Sequence, residues 1–456
     1  MTPHLAPLQP APSLRQLAWH ELEYYAFIHF NMNTFTGREW GEGYEDPTQF
    51  NPTELDCRQW ARVCSEAGMK GIVLTAKHHD GFCLWQSECT EHSVKNSPFR
   101  KGKGDVLREL SDACHEFDVK LGFYLSPWDR NHPDYGTPAY NEYFKKQLKE
   151  VLTGYGELFE FWFDGANGEG PNGKRQEYDW AGFIQTVRDH QPNAVIFSDA
   201  GPDIRWVGNE NGFADETNRS LLLRDEFYPG TPRHKELTQG HSNGTHWVPA
   251  ECDVSIRPGW FYHAEEDEKV KSPAQLMDIY ERSVGRNGAL LLNLPVDRRG
   301  LVHENDIAAL LGFKAIRKSV FLIDLAKDAS ITASNVRGGD PSYAASLMKD
   351  DDAETFWATD DEVTQANAEV DFGESRTFSR VLLQEFITLG QRVEEFALFA
   401  YAGAGDEEEN AWRRIADGTT IGNKRILSFP PVMASKLRLE ILKSRACPTL
   451  KRISIY

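Results

Sequence analysis

With 456 residues, 40% of them hydrophobic, the chain exceeds one ordinary domain and has material for two or three packed cores. Fifty basic against 69 acidic residues leave a formal charge of −19, which argues against nucleic acid or an anionic membrane as partner and favours a neutral or cationic small substrate. The seven cysteines form no CxxC pair and read as mostly buried thiols rather than a disulfide framework or zinc cage, and no stretch approaches the ~18 apolar residues of a membrane span.

Residues 1–20 read as an N-terminal extension whose first dozen residues are Pro-rich and lack an apolar leader core. Location is therefore open: cytoplasmic, or periplasmic or secreted if a leader has been removed. A first strand over residues 24–30 carries His29 at its end, followed by a polar loop with Glu39 and Trp40. Residues 53–68 are helical, since Leu55, Trp60, Val63, Cys64 and Ala67 recur at helical spacing between Asp56 and Gly68. A second strand, 71–77, runs into His78-His79-Asp80-Gly81. A helix over 106–117 leads to a third strand over 119–125, with Tyr124 near its end and Ser126-Pro127-Trp128-Asp129 beyond. After a helix over 140–155, residues 158–164 form an apolar, aromatic run, including Trp162, that stops at Asp164-Gly165. Such a run reads as a buried strand that delivers a carboxylate to the rim of a sheet. A helix over 180–190 and a strand over 194–198, ending at Asp199, follow. Residues 201–260 are rich in loops and delimit no strand clearly. Residues 288–294 form a last strand and 303–320 a closing helix.

This alternation predicts βαβ units and a parallel sheet, an α/β fold of (β/α)8-like barrel type over residues 21–324. The texture changes at residue 325. Short alternating runs (378–384, 396–402, 436–442, 450–456) separated by Gly, Asp and Asn predict an all-β sandwich over 325–456. The acidic run Asp406-Glu407-Glu408-Glu409 reads as a solvated loop.

In such a barrel the C-terminal strand ends converge on one mouth. His29, His78, His79, Tyr124, Asp164 and Asp199 would meet there beside Trp40, Trp128 and Trp162, a pocket with hydrogen-bonding groups and aromatic walls. Two chemistries fit. One is a metal site, but adjacent histidines on a regular strand point to opposite faces, which weighs against it unless the strand has already ended. The other is glycoside hydrolysis by two carboxyls, Asp164 and either Glu210 or Glu251, which spacing alone does not rank.

Several motifs extend this picture: Ile28-His29-Phe30, Glu39-Trp40, Thr75-Ala76-Lys77-His78-His79-Asp80-Gly81-Phe82, Phe123-Tyr124-Leu125-Ser126 and Phe161-Trp162-Phe163-Asp164-Gly165. Further along come Ser198-Asp199-Ala200-Gly201-Pro202, Ser255-Ile256-Arg257-Pro258-Gly259-Trp260-Phe261 and Leu292-Asn293-Leu294-Pro295. In this order, over about residues 20–320, they resemble the α-L-fucosidases of glycoside hydrolase family 29. The resemblance implies a retaining enzyme with Asp164 as nucleophile. It implies His29, His78 and His79 as ligands of the fucose hydroxyls, with Tyr124 and Trp162 beside them. Glu39, Trp40 and Arg257 join the substrate-binding set, and Trp260 packs on the fucose C5-methyl. Trp206-Val207-Gly208-Asn209-Glu210-Asn211-Gly212 resembles the subgroup acting on α-1,3/1,4-linked fucose, which implies Glu210 as acid/base, with Glu251 the reserve and otherwise a substrate contact. No metal or cofactor is expected, and the expected partners are fucosylated oligosaccharides or glycoproteins. The C-terminal part, through Thr355-Phe356-Trp357-Ala358, resembles a discoidin-type (carbohydrate-binding family 32-like) sandwich. The alternatives are broader action on α-1,2 or core-linked fucose, and a glycan-binding protein without catalysis.

Overall fold

The computed structural model describes residues 5–401 and 412–456. The acidic run 406–409 and the end of the expected strand at residue 402 lie outside the described residues.

Eight parallel strands close into a barrel: Tyr24–His29, Gly71–Lys77, Lys120–Leu125, Glu160–Trp162, Val195–Ser198, Ile204–Trp206, Ala250–Ser255 and Gly288–Pro295. Each pairs with its neighbours in sequence, and the eighth pairs with the first. The first strand is buried along its whole length because core lies on both faces. Tyr25 and Phe27 belong to the cluster inside the barrel, with Val73, Trp162 and Phe197, whereas Tyr24, Ala26 and Ile28 pack outward among the helices. The helix Cys57–Ala67 shows how the outer layer is delimited. Asp56 caps its first amides through Arg58 and Gln59, a contact worth about 1 kcal/mol, and Gly68 ends it in the left-handed conformation.

Five elements differ from the sequence reading. The sixth and seventh strands lie in the loop-rich stretch. The sixth has only three residues, and the seventh, Ala-Glu-Cys-Asp-Val-Ser, breaks the apolar pattern of a buried strand with two acids. The helix Pro273–Ser283 opens on a Ser272/Gln275 capping box with Pro273 in its first turn. The expected loose extension contains the helix Leu14–His20, too short to show a period. The fourth strand is shorter than the apolar run. It ends at Trp162, although the Phe163 amide still donates to the Phe197 carbonyl at 3.1 Å, so Asp164 stands just past the sheet.

A second hydrophobic core begins at Ala326. It belongs to a seven-stranded antiparallel sandwich in which two strands, Ala366–Glu385 and Arg425–Ser444, run for 20 residues each and bend at register shifts. The sequence reading saw only pieces of these two strands, because bends interrupt their alternation. The sandwich docks through Ile426 N–H to the Gly285 carbonyl (2.8 Å), Asn287 N–H to the Lys424 carbonyl (2.9 Å), and ion pairs Arg380–Glu281 and Lys424–Glu23. Glu23 and residues 285–287 precede barrel strands, so the sandwich sits at the N-terminal rim and leaves the mouth uncovered. The cysteines among the described residues are free thiols, all buried except the half-buried Cys89.

Deep inside the barrel, Glu160 and Glu251 lie side by side and fully buried. Glu251 accepts hydrogen bonds from Tyr25 Oη and from Trp162 Nε1 (2.8 Å), while neither Glu160 oxygen has a hydrogen-bond partner among the described residues. Burial, reinforced by Glu251, raises the Glu160 pKa well above its ordinary value. The fold therefore favours the neutral acid. Its contribution is complete below the unfolded pKa of about 4.3 and is lost as pH rises towards the folded value. Glu160→Gln keeps the neutral shape, so its stability relative to the parent should increase from pH 5 to pH 8 by at least about 1.4 kcal/mol, the worth of one pKa unit. Thermal unfolding at the two pH values reads this directly, and a pH-independent difference would refute the assignment.

Candidate active site

A cavity of about 190 Å³ opens at the C-terminal mouth of the barrel. Drug-sized ligands occupy roughly 300–1,000 Å³, so this hollow suits one small ring. His29, Glu39, Trp40, His78, His79, Tyr124, Trp162, Asp164, Glu210 and Trp260 line it, together with Phe27 and Asp253. The structure does not bring Glu251 and Arg257 into it. Glu251 lies two residues deeper on the seventh strand than Asp253, sealed beneath Trp162. Arg257 is buried beyond the cavity wall, paired with Asp306 (Nε–Oδ1 3.0 Å) and Asp267 (2.8 Å).

Asp164 sits on the turn after the fourth strand. Its Oδ1 accepts from the Ala166 amide (2.7 Å) and its Oδ2 from Tyr124 Oη (3.1 Å). His79 Nε2 lies 3.7 Å from the same Oδ2. Gly165 is required here, because a Cβ would collide with the Asp199 carboxylate and the Gly230 amide. Asp199 holds that amide and lies behind the cavity; burial, reinforced by the charge of Asp164, raises its pKa to about 7.

The histidines are neutral and two of their tautomers are fixed. His29 Nδ1 meets Asn293 Oδ1 at 2.7 Å. The Asn293 amide nitrogen donates to Ser255 Oγ and to the Trp260 carbonyl, both at 2.9 Å. A carbonyl only accepts, so the amide orientation is determined, His29 carries its proton on Nδ1, and Nε2 keeps its lone pair. Likewise Ser126 Oγ donates to the Trp128 carbonyl (2.7 Å) and must accept from His79 Nδ1 (2.7 Å). Burial lowers the pKa of His29 to about 3, that of His78 well below its ordinary value, and that of His79 less far, as Asp164 opposes it. The strand has ended before His78 and His79, and both rings line the one cavity, 4.1 Å apart. This is the one condition under which the sequence allowed neighbouring histidines to converge. Among the described residues no three His, Cys, Asp or Glu side chains are arranged to hold a metal ion.

Glu39 is committed to the neighbouring loop: it accepts from the amides of Trp260 (2.9 Å) and Phe261 (3.3 Å) and pairs with His263 (2.8 Å). Trp40, 61% exposed, forms the rim, edge-on to His79 and Trp128. The Trp260 ring stands 5.1 Å from that of His29, and its Nε1 donates to Glu210 Oε2 at 3.3 Å. The Glu210 carboxyl is raised above its ordinary pKa by partial burial, with Asp164 and Glu39 adding to the rise and the Trp260 bond opposing it. Its outer side is exposed. Sequence reasoning missed Asp253 and Asn293 as site residues. Asp253 accepts from Trp206 Nε1 (2.8 Å), and burial followed by the charge of Glu210 raises it well above its ordinary value. For Asn293 the available signal was a polar residue inside an otherwise apolar strand; for Asp253 the second acid hid the strand itself.

Residues 13–315 match the α-L-fucosidase family, and residues 330–452 match the F5/8 type C domain family. The chain is 43% identical over its whole length to α-L-fucosidase 1 of Arabidopsis thaliana, covering 89% of that protein. A crystal structure of a glycoside hydrolase family 29 member from an unknown rumen bacterium superposes with a TM-score of 0.87 at 44% identity, covering 99% of this chain and 78% of that one. A Ruminococcus gnavus family 29 fucosidase solved in complex with fucose superposes with a TM-score of 0.92 at 32% identity, covering 100% and 96%. The chain belongs to glycoside hydrolase family 29, the α-L-fucosidases, and carries a C-terminal F5/8 type C domain.

Asn293→Ala removes the acceptor that fixes His29 and the donor that holds the Trp260 carbonyl. For an aryl α-L-fucoside, kcat/KM should fall about 10–100-fold, the scale on which lost orientation acts. The 15N NMR signature of the His29 Nδ1–H tautomer should disappear with it. Full activity with the tautomer unchanged would show that Asn293 does not orient the site.

Proposed function

We propose that this α-L-fucosidase is a retaining exo-enzyme that releases terminal α-1,3/1,4-linked fucose from branched oligosaccharides or glycoconjugates. The observation that carries the reading is that Asp164 and Glu210 reach one small cavity from different strand ends, whereas the rival acid Glu251 is sealed inside the barrel. The cavity has room for one sugar, which supports action on a chain end. Fucose bound to the Ruminococcus gnavus relative supports the same ligand here.

In this reading Asp164 attacks C1 of the fucosyl ring while Glu210 passes its proton to the glycosidic oxygen, and the leaving saccharide departs as the neutral alcohol. Water, deprotonated by Glu210, then attacks C1 of the fucosyl ester, releasing fucose with its configuration kept and Asp164 as carboxylate. The Ala166 amide and Tyr124 hydroxyl stabilise the Asp164 carboxylate. The neutral imidazoles of His29 and His79 offer Nε2 lone pairs, which suit sugar O–H donors. Trp260 supplies an apolar face for the C5-methyl. No cofactor enters either step. The finer linkage preference rests on the motif of residues 206–212.

Asp164→Ala is expected to lower kcat about 10⁴-fold or more with the fold intact. Because Glu210 must be protonated, kcat/KM should fall as pH rises through its elevated pKa, and Glu210→Ala should erase that alkaline limb. The same variant should impair a Lewis-type trisaccharide far more than an aryl fucoside with a good leaving group. Strong release of fucose from an α-1,2-linked disaccharide would overturn the linkage reading while leaving the fucosidase in place.

A further inference from the structure

Where the sandwich docks on the barrel, a hollow of about 410 Å³ remains between them. Lys314, Arg317 and Lys318 line it from the last turns of the closing helix, Glu304–Val320, and Lys424 and Arg452 line it from the sandwich. No acidic side chain is among the described residues around it, on a chain whose acids outnumber its bases 69 to 50. Internal pairing neutralises only part of this charge. Lys424 pairs with Glu23, and Arg452 stands 3.5 Å from Asp351 and 3.8 Å from Asp324. The three helix cations form no ion pair among the described residues. Lys314 Nζ donates to the Glu66 carbonyl, Arg317 lies over the rings of Tyr24 and Tyr280 at 5.2 and 5.4 Å, and Lys318 has no partner there. The helix C-terminus offsets only about half a charge. A hollow lined by one sign of charge focuses the potential and concentrates counter-ions.

We infer that this hollow binds a phosphate or sulfate monoester carried on a small ring, the anion held between the closing helix and the sandwich. Ammonium and guanidinium groups are the side chains that hold such oxyanions, the guanidinium through paired N–H donors. The apolar part of the lining accounts for the ring. Phe321 and Tyr456 stand edge to face at 5.0 Å, beside the buried Tyr280 and Leu382. A bare tetrahedral anion would leave most of the volume unfilled, whereas small-molecule sites begin at roughly 300 Å³. The closing helix runs antiparallel to the strands, so its last turn lies at the rim opposite the mouth. Binding there is therefore separate from catalysis. Because both domains supply cations, an occupied hollow ties the sandwich more firmly to the barrel.

The test is titration calorimetry and thermal unfolding of the full chain with glucose 6-phosphate, galactose 6-sulfate and inorganic phosphate, against sodium chloride at equal ionic strength. At least one ester should bind saturably at one site per chain, more tightly than inorganic phosphate, and should raise the unfolding temperature by mass action. Lys314→Gln and Lys318→Gln alter exposed side chains of the helix, where folding is not at risk. Each should weaken ester binding about tenfold, the scale of one lost hydrogen bond to a charged group. Their kcat/KM for an aryl α-L-fucoside should stay at the parent value. Inorganic phosphate binding as tightly as the esters would overturn the ring-borne ligand in favour of the free anion. Stabilisation no greater than that by chloride, or ester binding unchanged in both variants, would overturn the site itself.

Discussion

Closure of eight parallel strands turns every second side chain of each strand inward, and the site depends on that constraint. The barrel interior is a stack of layers, so a residue's height along its strand decides its environment. Tyr25, Glu160 and Glu251 form a deep polar layer. Above it Phe27, Trp162 and Phe197 form an aromatic one, with the Trp162 and Phe197 rings stacked at 4.0 Å. At the top, inward residues reach the mouth: His29, Asp253, Asn293 and, just past the end of its strand, Asp164. Trp162 links the layers. Its indole nitrogen is anchored on Glu251 below while the residue forms part of the cavity wall above. The orientation of the cavity therefore depends on a buried acid that never meets substrate.

The same layering explains how much of the molecule the sequence revealed. The first five strands and the eighth were legible because each is an apolar run ending in a polar cluster. The sixth and seventh were not: a three-residue strand carries no pattern, and Glu251 and Asp253 disguise a buried strand as a loop. Whether the second strand ends before His78, as the convergence of His78 and His79 requires, stayed open for a different reason. Where a strand ends is set by its neighbour's register, which shifts between Thr75 and Lys77. Most of the residues lining the cavity were legible through their motifs. Arg257 lies in a matching motif too and Glu251 was the reserve acid, but Glu251 is too deep and Arg257 is held by Asp306. Motifs identify residues without giving their height in the barrel. Asn293 and Asp253 were missed because their roles exist only across strands.

The electrostatics divide the labour among many acidic groups crowded at one mouth. Asp164 accepts hydrogen bonds from an amide and a phenol, which stabilise a carboxylate. Glu210 and Asp253 lack comparable donor sets, and burial with neighbouring negative charge raises both. Buried imidazoles stay neutral, so no imidazolium at the mouth favours the ionised form of Glu210. Meanwhile the sandwich, docked at the opposite rim, leaves the mouth open.

The most direct test of a double displacement between Asp164 and Glu210 is a 1H NMR time course of the anomer first released from a fucosylated trisaccharide. Retaining pairs stand roughly 5–5.5 Å apart, and inverting pairs about 6.5–9.5 Å, to admit a water between them. Early spectra should show α-L-fucose, with the β-anomer growing in only by mutarotation. Initial release of β-L-fucose would contradict the account, since water would then attack directly and Asp164 would serve as a base rather than the nucleophile.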